Sequence, residues 1–208
     1  MQRIIFATGN AGKMKEIRAI LADLRLEGSP VEILSMKEAG ISSEIEENGS
    51  SFKENAVIKA KAVAEAASDA VILADDSGLE IDYLNKEPGI YSARYLGEDT
   101  SYHKKNYNLI ERLSGVPDEK RTARFVCAIA CVLPDGRVFT EEAAVEGRIG
   151  YEEKGENGFG YDPIFMLPAY GKSTAELTEE EKNEISHRGK ALRAMKKRME
   201  ELKEPKNY

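Results

Sequence analysis

The stretch VILADDSGLEID, residues 71–82, runs an apolar segment straight into two adjacent carboxylates, Asp75 and Asp76. A short apolar run bounded by turn-forming residues reads as a buried strand. Charges next to such a strand are costly unless something of opposite sign meets them. Successive side chains on a strand point to opposite sides, so at most one of the two acids fully faces any given cleft. The expectation is a strand that stops at the acids and a second strand over LEIDYL with one wet face; a capped turn is the alternative to a functional role for the acid pair, and the functional role is favoured. Whatever supplies the positive charge must come from elsewhere in the chain or from a ligand.

The chain has 208 residues, enough for one large domain or two closely packed lobes. Apolar residues make up 41% and charged residues 32%, as in ordinary globular proteins. No run approaches the ~20 apolar residues of a membrane span, and MQRIIFATGN lacks the apolar core of a signal peptide. No membrane partner and a cytoplasmic location are therefore expected. A net charge of −7 argues against a nucleic-acid polymer as partner, but a few local cations could still hold a small anion. Cys127 and Cys131 lie four apart in an apparent strand, roughly 13 Å at ~3.3 Å per residue, too far for a disulfide. They read as small buried hydrophobes.

The remaining elements follow from periodicity and punctuation. RIIFAT reads as an opening strand, GNAGK as a glycine-bearing loop, and Met14, Ile17, Leu21 and Leu24 as the stripe of a helix over 13–26. PVEILSM reads as a second strand and SSEIEENGSS as an acidic loop. Ser51 and Glu54 then open a helix as a capping box. A helix over 101–113 precedes two long runs flanking Pro-Asp-Gly, which predict a hairpin. GYEEKGENGFGYDPIF resists regular assignment. Thr178 and Glu181 open another capped helix, SHRG breaks it, and a charge-rich amphipathic helix closes the chain. The pattern is α/β with a mixed sheet.

Five groups of residues could carry chemistry. Gly9 and Gly12 permit a tight turn before a helix whose first N–H groups, with Lys13 beside them, suit an anion; a plain strand-to-helix turn is the alternative. The spacing is not that of a Walker A loop, and Met14 stands where its hydroxyl would be. Asp75 and Asp76, with Glu46 and Glu47 on the acidic loop, suit Mg²⁺, a hard cation that prefers oxygen ligands; a solvated acidic loop is the alternative for the glutamates. Asn55 and Lys59, four apart on one helix, could contact phosphate or form an exposed pair. In GENGFGYDPIF, Phe159, Tyr161 and Asp162 could form a base-stacking pocket or an ordinary loop. Lys182, His187 and Arg188 sit near the helix break. His187 lacks the partners of a zinc site or a serine triad, which leaves hydrogen bonding to a ligand edge.

Six collinear segments, TGNAGK, FKENAVIKA, ADDSGLEID, PGIYSARY, GFGYDPIF and EKNEISHRGKAL, resemble the inosine/xanthosine triphosphate pyrophosphatase family. The resemblance implies one two-lobed domain over 1–208, a long curved mixed sheet with flanking helices, a cleft between the lobes, and a homodimer. It implies Mg²⁺-dependent hydrolysis of ITP, dITP or XTP to the monophosphate and pyrophosphate. Carried over by position, Thr8, Gly9, Asn10, Ala11, Gly12 and Lys13 would cradle the triphosphate with Lys59 assisting. Asp76 would be the general base and a metal ligand, Glu46 a second metal ligand, and Ser77 a nucleotide contact. Phe159, Gly160, Tyr161 and Asp162, with Lys182, His187 and Arg188, would recognise the base. LNKEPG is more charged than the glycine-rich turn often seen at that place, and EENG leaves Glu46 and Glu47 as alternative ligands. A pyrophosphatase for other modified nucleotides and a non-catalytic nucleotide binder are the rival readings.

Overall fold

The apolar run and the paired acids form one uninterrupted strand, β4, over Val71–Ile81. The expected break at the acids does not exist. Its residues are buried on both sides nearly throughout, with only Ser77 and Glu80 half-buried, so the ladder can continue where sequence polarity alone signals a stop. A computed structural model describes residues 2–26, 28–42 and 45–202. Ser43 and Glu44 of the acidic loop, and the tail 203–208, lie outside the described residues.

Eight strands form one mixed sheet in the order β2-β3-β1-β4-β5-β6-β7-β8. β1 (Gln2–Phe6) pairs in parallel with both β3 (Ser29–Ser35) and β4. β2 (Arg25–Leu26) runs antiparallel to β3. The expected first helix is shorter than its apolar stripe suggests: α1 covers Ala11–Ile20, and the Leu21 amide closes it on Ile17. Leu24 and Leu26 are both buried. At that spacing they satisfy the period of a strand, so pairing with β3 wins over further helix.

α2 (Phe52–Ala66) starts as predicted. Ser51 accepts from the Glu54 amide, but the Glu54 carboxylate reaches back to Ser50 rather than to Ser51. α3 covers Tyr102–Arg112. The Pro-Asp-Gly hairpin is present as β5 (Thr122–Val132) and β6 (Val138–Ile149). The irregular loop after β6 ends in a short 3-10 turn at Asp162–Ile164 and then β7 (Phe165–Leu167), which pairs with β8 (Lys172–Ser173). Thr178 and Glu181 form the full reciprocal capping box of α4 (Glu179–Ile185), and α5 (His187–Glu200) follows after Ser186 takes an extended conformation. Among the described residues, no helix is long and apolar enough to cross a membrane.

The chain divides into two compact units. The first comprises Met1–Asp76, Ala128–Glu142 and Gly189–Tyr208; the second comprises Ser77–Cys127 and Ala143–Arg188. The chain passes from one to the other inside β4, β5, β6 and α5. In the first, Ile4, Ile5, Phe6, Ile17, Ile72 and Leu73 are almost completely buried. In the second, Leu79, Leu109, Phe125, Tyr161, Phe165 and Leu177 belong to one apolar cluster. Cys127 and Cys131 are buried thiols of β5 outside any disulfide, one in each unit, and burial pushes Cys131 up to about 12.

The second unit is also held by one buried cation. Arg121, 1% exposed, donates to the carbonyls of Leu113, Ile149 and Gly150 at 2.7, 2.9 and 2.7 Å. It ties the end of α3 to the end of β6. The Arg121→Met variant keeps most of the side-chain volume and leaves those carbonyls without their donor. At about 1–3 kcal/mol per stranded group, a loss on the order of 3 kcal/mol is expected, seen as a lower urea midpoint with little change in slope.

Candidate functional site

Alternation within β4 sends Asp75 and Asp76 to opposite sides of the strand, and two helices of the first unit supply the missing cations. Asp75, 1% exposed, receives Lys13 Nζ from α1 at 3.1 and 2.9 Å on its two oxygens. Asp76 receives Lys59 Nζ at 3.2 Å on Oδ1 and Asn55 Nδ2 at 3.2 Å on Oδ2, both from α2. Asn55 and Lys59 are therefore a buried pair aimed at Asp76, and the alternative of an exposed pair is excluded. Asn55, a candidate phosphate contact from its spacing, is missing from the site residues that the family resemblance implies. Its spacing with Lys59 was the only sequence signal for it.

Asn55 does a second job. Its Oδ1 accepts from the Gly49 amide at 2.8 Å, pinning the acidic loop to the start of α2. A Cβ on Gly49 would lie 2.7 Å from that same oxygen, so no larger residue fits the contact. The pinned loop brings Glu47 to Lys59 Nζ at 3.4 Å. Glu46, the predicted metal ligand, is exposed to solvent. One residue of offset separates the two glutamates, and the loop's anchoring turns Glu47 toward Lys59 while Glu46 faces solvent.

The electrostatics of this cluster are unusual. Burial raises the Asp76 carboxyl above its ordinary range and Glu47 adds to the effect, while Lys59 and Asn55 oppose it. For Lys59, burial works against the charge, but Asp75, Asp76 and Glu47 together outweigh it and raise the ammonium. The carboxylates of Asp75, Asp76 and Glu47 thus gather around the ammonium groups of Lys13 and Lys59. Carboxylate oxygens suit Mg²⁺, which usually takes one or two protein carboxylates and completes its shell with water and substrate oxygens. Among the described residues, no group of three or more Asp, Glu, His or Cys side chains could hold a metal ion.

The glycine-bearing loop lies next to the same strand. The Ala7 amide bonds to Leu73 of β4, Thr8 Oγ1 accepts from the Asn10 amide, and Asn10 caps α1 by accepting from the Lys13 amide at 3.0 Å. Gly9 to Gly12 are exposed, and the first-turn amides of Ala11 and Gly12 have no acceptor within the helix. A cavity of about 790 Å³ opens beside them, bordered by Gly9, Ala11, Lys15, Arg18, Lys37 and Glu38.

The second unit carries the other predicted residues. Lys182 Nζ meets Asp162 Oδ2 at 2.7 Å, and the same oxygen accepts from the Phe159 amide at 2.8 Å. Thr174, which no sequence signal marks, donates to Asp162 Oδ1 at 2.8 Å. The half-buried Phe159 ring has Lys182 Nζ 4.7 Å and Arg188 Cζ 5.6 Å from its centre. Arg188 donates to Ser77 Oγ at 3.1 Å, and His187 stacks on Phe125 with ring centres 4.9 Å apart. Gly158, at φ 74°, leaves no space for a Cβ, which would fall 2.3 Å from Asp162 Oδ2. Tyr161 departs from its predicted role. Its ring belongs to the apolar cluster, its hydroxyl donates to the Ser92 carbonyl at 2.6 Å, and burial holds the phenol protonated. It shapes the loop from within.

Known proteins are similar to this chain over most of its length. The dITP/XTP pyrophosphatase of Exiguobacterium sibiricum is 49% identical over 193 residues, covering 93% of this chain and 94% of the relative. That of Bacillus subtilis is 48% identical over 96% of this chain and 98% of its own. Among solved structures, a HAM1 protein from Coxiella burnetii gives a TM-score of 0.86 at 38% identity, covering 97% of this chain and all of that one, 100%. The Staphylococcus aureus Ham1 protein gives 0.83 at 39% identity, covering 96% and 98%. The sequence model of the Ham1 family matches residues 4–198. The chain belongs to the Ham1 family.

Proposed function

We propose that this protein hydrolyses non-canonical purine nucleoside triphosphates, dITP, ITP and XTP, to the monophosphate and pyrophosphate. The observation that carries the reading is Asp76, a buried carboxylate with a raised pKa, held between Lys59 and Asn55 and next to Glu47. The names of the relatives, dITP/XTP pyrophosphatases, supply the substrate class.

In this reading the loop from Thr8 and the start of α1 up to Lys13 hold the triphosphate, with the Ala11 and Gly12 amides as the free N–H groups of a helix start that favours anions. Cleavage between the α and β phosphates needs a water aimed in line at phosphorus and compensation for charge on the departing pyrophosphate. Asp76 accepts the proton of that water; its raised pKa makes it a better acceptor than an ordinary aspartate. Lys59 and Lys13 take up the charge that develops on the phosphates. Asp76 and Glu47 would hold Mg²⁺, which supplies further neutralisation of the phosphate chain when bound.

The second unit handles the base. Phe159 offers a face for stacking. Lys182, Arg188 and His187 offer donors that welcome the oxygen at C6 of hypoxanthine or xanthine and leave adenine's amino group unpaired. A site built to hydrogen-bond one group can reject its analogue strongly. Asp162 orients Lys182, and Ser77 orients Arg188. The proposal includes a cytoplasmic homodimer as the working form, on the family resemblance.

The test is phosphate-product analysis across dITP, ITP, XTP, ATP, GTP, CTP and UTP, with Mg²⁺ and with EDTA. Pyrophosphate release confined largely to the first three, and abolished by EDTA, is expected; orthophosphate release would place the cut elsewhere and refute the reading. Asp76→Asn should retain nucleotide binding by calorimetry while turnover falls about 10²–10⁴-fold, the range for losing a general base. Glu47→Gln should weaken Mg²⁺ dependence and lower turnover at least tenfold, as expected for losing a metal ligand. Glu46→Gln should leave both within about twofold if Glu47 is the ligand, and an equal loss at Glu46 would assign the metal to that residue instead.

A further inference from the structure

The first turns of α3 hold the glycine-rich loop through a contact that the chemistry above does not use. His103 Nδ1 meets Glu153 Oε2 at 2.6 Å, and Asn106 Nδ2 donates to Glu153 Oε1 at 2.7 Å. The same Asn106 nitrogen donates to the Gly160 carbonyl at 3.2 Å. One amide group therefore ties down both Glu153 and Gly160, the two ends of the segment that leads to Phe159. Tyr102, one helical turn earlier, packs edge-to-face on Tyr161 with centres 5.2 Å apart, and its ring lies 3.5 Å from where a Cβ on Gly160 would stand.

Asn106 is 1% exposed, and its Oδ1 is buried with no hydrogen-bond partner. A stranded acceptor costs about 1–3 kcal/mol. The amide cannot escape that cost by flipping, because a carboxylate and a carbonyl are both acceptors and only the NH₂ end can meet them. The side chain is thus held in its orientation by its two partners, at the expense of its own oxygen. Nothing in the apolar cluster of this unit requires an amide there. The beneficiary is the backbone at Gly160, and through it the ring of Phe159 beside Lys182 and Arg188.

We propose that Asn106, with Glu153 as its anchor, is a positioning residue for base selection: it fixes the Gly160 carbonyl and so holds Phe159 where the base must stack. The inference rests on the assignment of Phe159, Lys182 and Arg188 to the base. It concerns recognition and not the hydrolytic step, so its signature is a change in KM and in base preference at nearly constant kcat.

Two variants test it. Asn106→Ala removes the amide, and Glu153→Ala removes the anchor from a partly exposed position, leaving the buried interior intact if the first variant folds poorly. Amide hydrogen exchange without nucleotide should speed up over 157–162 in both, with β1 and α2 unchanged. KM for dITP should rise about tenfold with kcat within about twofold, and the preference for dITP over dGTP should fall. Unchanged exchange in both variants would overturn the clasp. A lower kcat at constant KM would overturn its role in recognition, because that pattern is what simple loss of folded protein gives. If the wild-type protein released no pyrophosphate from dITP, the assignment of the base site would fail, while exchange would still decide whether the clasp exists.

Discussion

Two negative charges lie side by side inside a buried strand, and the first unit is organised around neutralising them. Removing one partner of a buried ion pair typically costs 3–5 kcal/mol, because the other charge is left stranded. Asp75 and Asp76 therefore hold α1 and α2 in place as effectively as apolar packing does: Lys13 must reach one side of β4, and Lys59 the other. The glycine-bearing loop sits where it does because β1 and β4 are parallel neighbours and α1 carries Lys13 back to Asp75.

Local rules made much of this legible in advance. The capping residues Ser51 and Thr178 mark the starts of α2 and α4 because the signal lies within four residues. The hairpin of β5 and β6 follows from Pro-Asp-Gly for the same reason. What failed depends on distant partners. β4 runs on through Asp75 and Asp76 because lysines 62 and 17 residues away neutralise them, and nothing near the acids announces those lysines. The early end of α1 reflects pairing of β2 with β3, a tertiary gain that outweighs helical periodicity.

The candidate site divides along the same line. Asp76, Lys59, Asp162, Lys182 and Arg188 were identified from the residues and their order, and each lies in one of the two clusters. Glu47, and not Glu46, faces Lys59 because the Gly49 to Asn55 bond sets the phase of the acidic loop, a contact too specific to read from EENG. Tyr161 turned inward because a ring between Tyr102 and the Ser92 carbonyl gains more from burial than from solvent. The glycines of the same loop are easily mistaken for flexibility. At Gly158 the absence of a side chain instead allows the close approach of backbone to the pair of Asp162 and Lys182.

The two thiols of β5 have a use apart from any of this chemistry. Cys127 belongs to the second unit and Cys131 to the first, both are fully buried, and neither is in a disulfide. A thiol shielded from solvent reacts with an alkylating reagent only when the structure around it opens. Each unit thus carries its own silent chemical clock, four residues apart on a single strand, and the rates at which the two are labelled report separately how often each half of the molecule comes undone.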